Sequence, residues 1–137
     1  KKGRVFVMIS DGECQEGTTW ESFLIANKLK LENLIILIDY NKIQALTTLN
    51  DGLPLANLKS KLKSFNLNVI DIKNAHSFES LEKGFLKLKK NKKANVIILN
   101  SIKGKGIKEF ENDPVWHARQ LHGKELSVGK KRLGIKI

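Results

Sequence analysis

Several residue types are scarce in this chain of 137 residues, and each scarcity removes a class of protein from consideration. The single cysteine, Cys14, cannot form an internal disulfide, which favours a reducing compartment such as the cytoplasm. No apolar run approaches the roughly 20 residues of a membrane-spanning helix, so no membrane partner is expected. The two prolines form no linker, and no repeat or low-complexity segment interrupts the sequence. The length suits one globular domain with a core of its own.

Acidic residues become scarce after residue 57, and the net charge of +11 arises there. Residues 1–57 carry 6 lysines and arginines against 7 acidic residues, whereas residues 58–93 carry 10 against 3 and residues 117–137 carry 6 against 1. A nucleic-acid surface would interleave basic residues with aromatic ones. Here the lysines flank apolar positions at helical spacing, which is typical of a solvated helix surface. We therefore expect no nucleic-acid partner, although such a charge attracts small anions.

Four short apolar runs predict four parallel strands covered on both faces, because none of them alternates with polar residues. The runs are residues 4–9, 34–38, 68–72 and 94–99. Apolar residues at helical spacing separate the runs, and they predict helices that start at Thr18 or Thr19, at Pro54 and after Ser77. The order β-α-β-α-β-α-β predicts an α/β fold, a doubly wound parallel sheet with helices on both faces.

Two of the predicted strands end at polar residues that suit a cation. Asp11 and Gly12 follow the first run, and Asn41 follows the second, 30 residues after Asp11. One βαβ crossover needs about that separation, and open parallel sheets bind ligands at the carboxyl ends of their strands. A carboxylate and an amide oxygen form half of a site for a hard divalent cation. The structural alternative is that Asp11 caps the next helix and that Asn41 lies in a turn.

Four blocks of residues extend this pattern. They are Ser10-Asp11-Gly12-Glu13-Cys14-Gln15-Glu16-Gly17, Asp39-Tyr40-Asn41-Lys42-Ile43-Gln44, Ser101-Ile102-Lys103-Gly104-Lys105-Gly106 and Val115-Trp116-His117. In this order and spacing they resemble the thiamine diphosphate-binding part of the transketolase family, above all the N-terminal subunits of transketolases that are split into two chains. The resemblance runs from about Arg4 to His117. Ser10 departs from it, since most of the superfamily has glycine there.

The resemblance implies that the chain binds thiamine diphosphate and Mg²⁺, for which Ca²⁺ or Mn²⁺ could substitute. The metal ligands would be the side chains of Asp11 and Asn41 and the backbone carbonyl of Ile43. The cofactor-binding residues would be Asp11, Gly12, Glu13, Asn41, Lys103 and His117. Two residues would have catalytic roles, His117 beside the donor substrate and Glu16 at a dimer interface that links two active sites.

Each of these residues also has a structural interpretation. Glu16 can interact with the positive end of the following helix, and Lys103 can be one more surface lysine. His117 can be a histidine at the rim of the site that is ordered by Trp116. His76 stands where related chains read D-G-H, but the Asp-Gly pair is lost here, so His76 is expected to be structural. Cys14 has no second cysteine or catalytic partner, and it is expected to be a small packed side chain although a helix-terminal thiol can have a lowered pKa.

The resemblance divides the chain into a partial diphosphate-binding domain at residues 1–117, lacking its upstream part, and a basic C-terminal tail at residues 118–137. After Gly106 the helical pattern weakens, and residues 127–137 are open to disorder. The implied activity is that of a transferase of the pentose phosphate pathway, which moves a two-carbon ketol unit from a ketose phosphate to an aldose phosphate.

The glutamate that activates the cofactor belongs, in the family, to a second domain that binds the pyrimidine ring and is absent here. We therefore expect this chain to be inactive alone and to work with a C-terminal, pyrimidine-domain subunit, in a dimer of such pairs acting on sugar phosphates.

Three other interpretations stay open. 1-Deoxyxylulose-5-phosphate synthase and the 2-oxo acid dehydrogenases share the cofactor motif, although the block at residues 39–44 argues against both. A non-catalytic interaction module or remnant of the fold would be unable to hold the cofactor without the missing upstream strands. A basic nucleic-acid binder would show salt-dependent retention on DNA.

Overall fold

The structure is a computed structural model, and it describes residues 3–45 and 47–135. Its strands are β1 (Val5–Ser10), β2 (Leu34–Tyr40), β3 (Ile43–Gln44), β4 (Thr47–Thr48), β5 (Asn68–Ile72) and β6 (Asn95–Asn100). Four of them form a parallel sheet in the order β1-β2-β6-β5, while β3 and β4 form a small antiparallel hairpin beside it. The four predicted strands and their parallel arrangement are confirmed.

Four helices accompany the strands: α1 (Gly17–Lys28), α2 (Leu58–Ser64), α3 (Phe78–Phe85) and α4 (Gly123–Arg132). Phe23 of α1 and Leu62 of α2 are buried in the core on one face of the sheet, whereas Leu81 of α3 packs against the other face. The predicted layering, with helices on both faces, is therefore confirmed. Ser77 caps α3 as predicted, since Ser80 N donates to Ser77 Oγ at 3.2 Å. None of the helices in the described ranges could cross a membrane.

Strand β1 does not have the cover that its apolar sequence predicts. It forms one edge of the sheet, and four of its residues are between 40% and 63% exposed: Val5, Phe6, Val7 and Met8. Successive residues of a strand point to opposite faces, so both faces of β1 are open. The prediction of a strand covered on both faces is wrong here, because an apolar run does not distinguish an edge strand from a central one.

Helix α1 begins differently from its prediction. Its first residue is Gly17 and its N-cap residue is Glu16, so Thr18 and Thr19 lie inside the helix and neither caps it. Thr19 Oγ1 donates instead to the carbonyl oxygen of Glu13, at 2.7 Å. This contact ties the start of α1 to the loop that follows β1.

Helix α2 begins at Leu58 and not at Pro54. Asn57 has a left-handed backbone conformation, with φ 57° and ψ 33°, and a right-handed helix cannot run through such a residue. Asparagine tolerates this conformation better than most residues, and its position just before the apolar spacing of α2 explains the later start.

The chain after residue 122 is more ordered than its sequence predicts. Helix α4 extends to Arg132, whose Nε donates to Glu109 Oε1 at 2.8 Å. The buried Gly129 lies against Phe110, which fixes the helix to the preceding loop. The prediction of disorder is therefore wrong for the described part of residues 127–137, and residues 136 and 137 lie outside it. The predicted domain boundary after residue 117 stays a prediction.

Candidate functional site

The loops after β1 and β2 leave the sheet side by side. The strand register pairs Ser10 of β1 with Asp39 of β2. Asp11, the next residue, donates its backbone N–H to the carbonyl oxygen of Asp39 at 3.1 Å, and only 2% of Asp11 is exposed. The first polar residue after β1 is therefore a buried carboxylate at the carboxyl edge of the sheet, where the sequence places it.

A tight turn after β2 brings the predicted metal ligands together. Lys42 has a positive φ of 66° and donates its backbone N–H to Asp11 Oδ2 at 2.6 Å. Asn41 and Ile43 flank Lys42, and Asn41 Oδ1 accepts a hydrogen bond from Ile43 N at 2.9 Å. A carbonyl oxygen has two lone pairs, so this contact leaves Asn41 Oδ1 able to bind a cation. Asp11, Asn41 and Ile43 thus lie together around one turn.

Asp39, to which sequence reasoning assigns no role, orients the side chain of Asn41. Asp39 Oδ2 accepts from Asn41 Nδ2 at 2.9 Å, and Asp39 Oδ1 accepts from Ser101 Oγ. Holding the NH₂ group in this way fixes the direction of the amide oxygen, as outer hydrogen bonds do for metal ligands. Asp39 and Ser101 both lie inside the sequence blocks. Their side chains can form hydrogen bonds, and from this property their supporting roles could have been predicted.

Ser10 and Glu13 form a reciprocal capping box in the loop after β1. Ser10 N donates to Glu13 Oε2 at 2.8 Å, and Glu13 N donates to Ser10 Oγ at 3.1 Å. The S-x-x-E spacing is the usual sequence signal for this arrangement, and sequence reasoning missed it. It gives Ser10 a local structural role that glycine could not fill. The carboxylate of Glu13 is turned towards Ser10, and a contact of Glu13 with a cofactor stays a prediction.

The packing of the chain leaves free space beside Gly12. Its backbone is right-handed, with φ −61°, and a Cβ there would meet only Ser10 Oγ at 3.7 Å and Gln44 Nε2 at 3.8 Å, which are ordinary contacts. Gln44 Nε2 is buried and has no hydrogen-bond partner in the described part of the chain. An open backbone and an unsatisfied donor next to a buried carboxylate fit a bound anionic group with its counter-cation.

The electrostatics around Asp11 also fit a cation. Burial raises the pKa of the Asp11 carboxyl above its ordinary value and Asp39 raises it further, whereas the N–H groups of Lys42 and Gly12 and the charge of Lys103 lower it. Among residues 3–45 and 47–135, no lysine or arginine forms an ion pair with Asp11. A buried carboxylate is costly unless a cation neutralises it.

The predicted donor set suits a hard cation. No cluster of three or more His, Cys, Asp or Glu side chains occurs in the described chain. One carboxylate, one amide oxygen and one backbone carbonyl are instead oxygen donors of the type that Mg²⁺ prefers, and Mg²⁺ commonly completes its shell with phosphate oxygens and water. Asp11, Asn41 and Ile43 therefore fit a magnesium ion that is shared with a phosphate group.

Lys103 and His117 approach the same end of the sheet on two later loops. Lys103 precedes Gly104, whose φ is 76° and at which a Cβ would lie 2.4 Å from the carbonyl oxygen of Phe110, so only glycine fits this turn. His117 is exposed and ends the short 3-10 helix Pro114–His117, which contacts β3. The charge of Lys103 acts on Asp11, which places Lys103 near this edge of the sheet, and the contacts of Lys103 and His117 with a ligand stay predictions.

Glu16 and Cys14 lie on the α1 side of this loop. Glu16 is exposed, so its side chain is free for a contact with another chain, and its predicted interface role stays a prediction. Cys14 is 1% exposed, and burial raises the pKa of its thiol to about 12, with smaller contributions from Asp11 and Glu13. A thiol with such a pKa is a poor nucleophile, so Cys14 is the packed side chain that the sequence predicts.

A cleft of about 600 Å³ opens at this edge of the sheet, between the loops that follow β2, β5 and β6. Asn41 and Ser101 contribute to its lining, together with His76, which the sequence leaves as a structural residue. A cavity of similar size, about 640 Å³, lies at the opposite edge around Arg4 and Asn95 and is remote from these residues. The first cleft includes the oriented amide of Asn41 and also Lys42, whose backbone N–H contacts the buried carboxylate of Asp11.

Known proteins share this sequence and architecture. Residues 2–137 match the family described as "Transketolase, thiamine diphosphate binding domain". An apulose-4-phosphate transketolase subunit of Actinobacillus succinogenes is 33% identical over 132 residues, which are 96% of this chain and 48% of that protein. Transketolase of Mus musculus is 34% identical over 122 residues, 86% of this chain and 18% of that protein.

The fold agrees with these matches. A crystal structure of transketolase from Campylobacter jejuni superimposes with a TM-score of 0.84 at 25% identity and covers 97% of this chain and 21% of that one. The chain spans about half the length of two apulose-4-phosphate transketolase subunits, 48% of one and 41% of the other. With a parallel sheet of the same fold and a family match over nearly its whole length, the chain belongs to the transketolase family as an N-terminal, thiamine diphosphate-binding domain that is homologous to these subunits.

Proposed function

We propose that this chain is the cofactor-anchoring subunit of a transketolase assembled from two kinds of chain. The observation that carries the proposal is the buried carboxylate of Asp11, which has no cationic partner in the described chain and lies beside the oriented amide of Asn41. A site of this kind binds a hard cation, and the family match supports thiamine diphosphate as the anion that shares it.

The metal is held by the Asp11 carboxylate, the Asn41 amide oxygen and the Ile43 backbone carbonyl. Mg²⁺ suits this donor set, and Ca²⁺ or Mn²⁺ can replace it. The free space beside Gly12 admits the diphosphate. Gln44 Nε2, which has no partner in the described chain, and the charge of Lys103 supply the donor and the neutralising charge that its oxygens need.

When bound, thiamine diphosphate supplies the nucleophilic carbon through which a two-carbon unit passes from a ketose phosphate to an aldose phosphate. This chain anchors and orients the reacting group. His117 exchanges a proton with a hydroxyl group of the donor sugar, because an imidazole can act as a general acid and base. Glu16 contacts a second copy of the chain and so connects two sites, while Glu13 holds the loop that carries Asp11.

The names of two relatives, which describe each of them as one subunit of a transketolase, support a separate partner chain. We propose that this partner is a pyrimidine-domain subunit, that two such pairs assemble, and that the chain alone does not turn over substrate. The sugars that are exchanged depend in part on the partner, so the proposal extends to ketose and aldose phosphates as a class.

Two measurements test the proposal. Calorimetric titration of the chain with thiamine diphosphate should give saturable binding that requires Mg²⁺ and is lost in Asp11→Asn. A coupled assay with a ketose phosphate and an aldose phosphate should give turnover only when the pyrimidine-domain subunit is added.

The outcomes separate the alternatives. Binding without turnover in the presence of the partner would contradict the transketolase activity, and analysis of the products would identify a different thiamine diphosphate reaction such as 1-deoxyxylulose 5-phosphate synthesis. Absence of Mg²⁺-dependent binding, with and without the partner, would favour a non-catalytic module of the fold.

A further inference from the structure

His76 holds the loop that carries Lys103. His76 Nε2 accepts a hydrogen bond from Ile102 N at 2.8 Å, and Ile102 immediately precedes Lys103. The contact joins the loop after β5 to the loop after β6, between residues 26 positions apart in the chain. As the acceptor, His76 Nε2 carries no hydrogen in this contact.

The position of His76 is itself fixed by the end of the sheet. His76 N donates to Asn74 Oδ1 at 3.0 Å, and Ala75 N donates to the carbonyl oxygen of Asn100, the last residue of β6, at 3.0 Å. Asn100 Nδ2 in turn donates to the carbonyl oxygen of Ile72, the last residue of β5, at 2.9 Å. The imidazole therefore belongs to a short hydrogen-bonded loop between two neighbouring strands. Because this loop is held in place, Nε2 has a defined position as a hydrogen-bond acceptor.

The Lys103 loop is attached at three points. Ser101 Oγ donates to Asp39, Asn112 N donates to the carbonyl oxygen of Lys103 at 3.0 Å, and Ile102 N donates to His76. The first two attachments lie on either side of the Ile102–Lys103 peptide bond. The Ile102 N–H belongs to the peptide between Ser101 and Ile102, so the contact with His76 fixes the backbone one residue before Lys103.

We infer that His76 is a positioning residue for the cofactor: by accepting the Ile102 N–H it fixes the backbone at Lys103 and directs the lysine ammonium towards the diphosphate. This inference rests on the proposed function, because the diphosphate is the group that Lys103 is proposed to bind. His76 itself need not touch the cofactor or the substrate. A purely structural histidine would stabilise the loop without affecting the contribution of Lys103 to binding.

The experiment uses the full chain and four substitutions. His76→Ala removes the acceptor, whereas His76→Gln places a side-chain oxygen near the position of Nε2 and should restore it. Lys103→Ala removes the proposed diphosphate contact and is made alone and together with His76→Ala. His122→Gln, at an exposed histidine before α4, is the matched control.

Two readouts are recorded for each variant. Amide hydrogen exchange at Ile102, followed by NMR without cofactor, should accelerate by between about twofold and tenfold in His76→Ala, the scale of one lost hydrogen bond, and remain near wild type in the Gln and control variants. The dissociation constant of Mg²⁺–thiamine diphosphate should rise by a similar factor in His76→Ala. In the Lys103→Ala background, His76→Ala should cause no further loss, because the two residues act through one contact.

Each other result overturns the inference in a distinguishable way. Unchanged exchange at Ile102 would show that the hydrogen bond does not hold the loop. Faster exchange with unchanged cofactor affinity, or equal losses with and without Lys103, would reduce His76 to a structural role while the proposed function stands. If the wild-type chain binds no cofactor, with the pyrimidine-domain subunit present as well, the proposed function fails and the inference fails with it, and the exchange data show whether the contact was nonetheless present.

Discussion

Asp39 illustrates, at the scale of single residues, how a side chain without a predicted ligand role can orient one that is proposed to be a ligand. Its carboxylate accepts the Asn41 NH₂ group and the Ser101 hydroxyl, and its carbonyl oxygen accepts the Asp11 N–H. The loops after β1, β2 and β6 therefore all contact one residue. A change at Asp39 should alter the site without removing any ligand.

The isosteric substitution Asp39→Asn tests this role. The amide has one acceptor oxygen where the carboxylate has two, and it carries no charge. Its hydrogen bond to the Asn41 NH₂ group is therefore weaker, and the Asn41 oxygen is less firmly directed towards the cation. We expect the affinity for Mg²⁺–thiamine diphosphate to fall by about 10- to 100-fold, as for other outer-shell substitutions at metal sites. Titration calorimetry measures the loss, and Ser101→Ala is the control because it removes only the second contact. Equal losses in both variants would argue against the control of Asn41 by Asp39.

Asp11→Asn should separate stability from binding. The folded-state pKa of this carboxyl is raised above its unfolded value, so its contribution to stability is fully present below the unfolded pKa and is lost as pH rises through the folded pKa. The neutral variant escapes this loss and keeps an oxygen acceptor for Lys42 N. Without ligand, the melting temperature of the variant relative to wild type should therefore increase from about pH 4 to pH 7.

In the presence of Mg²⁺ and thiamine diphosphate the wild type should have a higher melting temperature than Asp11→Asn, since only the wild type gains stability from ligand binding. Differential scanning fluorimetry follows both effects. Glu21→Gln, which neutralises an exposed carboxylate, serves as the control and should change little with pH or ligand. A difference between Asp11→Asn and wild type that is independent of pH would contradict the proposed cost of the buried charge.

The sequence allowed a prediction of the metal ligands but not of the residues that orient them. The residue types and spacing of Asp11 and Asn41 indicate half of a cation site, and the resemblance to the family adds Ile43. The roles of Asp39 and Ser101 depend on a hydrogen bond between residues 62 positions apart, and the role of His76 depends on one between residues 26 apart. Such contacts arise from the strand order, which the sequence pattern leaves undetermined.

At the scale of elements, the turn around Gly104 is the most constrained part of the site. Its φ of 76° is unfavourable for other residues, and a Cβ would collide with the carbonyl oxygen of Phe110 at 2.4 Å. We expect Gly104→Ala to lower the free energy of unfolding by at least about 2 kcal/mol, because both the backbone strain and the collision must be relieved. Chemical denaturation provides the measurement.

A matched glycine is available in α1. A Cβ at Gly17 would meet no atom within 4 Å, and Gly17 is the first residue of the helix. Gly17→Ala should therefore change stability by less than about 1 kcal/mol and in the stabilising direction. A comparable loss in the two variants would show that the turn at Gly104 is not specially constrained.

Element boundaries followed the sequence where a local interaction determines them. Ser77 caps α3 as expected from its side chain, and the four strands agree with their apolar runs. The start of α2 at Leu58 and the exposure of β1 depend on the backbone of Asn57 and on the strand order. Apolar periodicity indicates neither the backbone conformation of Asn57 nor the strand order. The predictions of a helix starting at Pro54 and of a β1 covered on both faces were therefore wrong.

At the scale of the whole molecule, two opposing features determine how copies of the chain interact. The net charge of +11 repels copies from one another, whereas the apolar open edge at β1 favours pairing with another strand. Salt screens the repulsion and leaves the edge unchanged. We therefore expect the isolated chain to associate as the NaCl concentration rises, which light scattering would detect.

Met8→Lys should suppress this association, because Met8 is 63% exposed on the open strand and a charged residue there disfavours pairing. Leu86→Lys adds the same charge at a residue that is 79% exposed at the end of α3, and it controls for charge alone. Equal suppression by both substitutions would attribute the association to general surface properties and not to β1.

The burial of Cys14 has a practical consequence for measuring assembly. With a pKa of about 12 and 1% exposure, its thiol should not react with maleimides while the chain is folded, so the protein behaves as if it had no cysteine. A cysteine introduced at the exposed Lys90, in the loop before β6, would then take a single fluorophore. That loop lies about 20 Å from the carboxyl end of β6, one strand length away. The dye could report the docking of a partner chain in real time while the buried thiol of Cys14 stays unmodified.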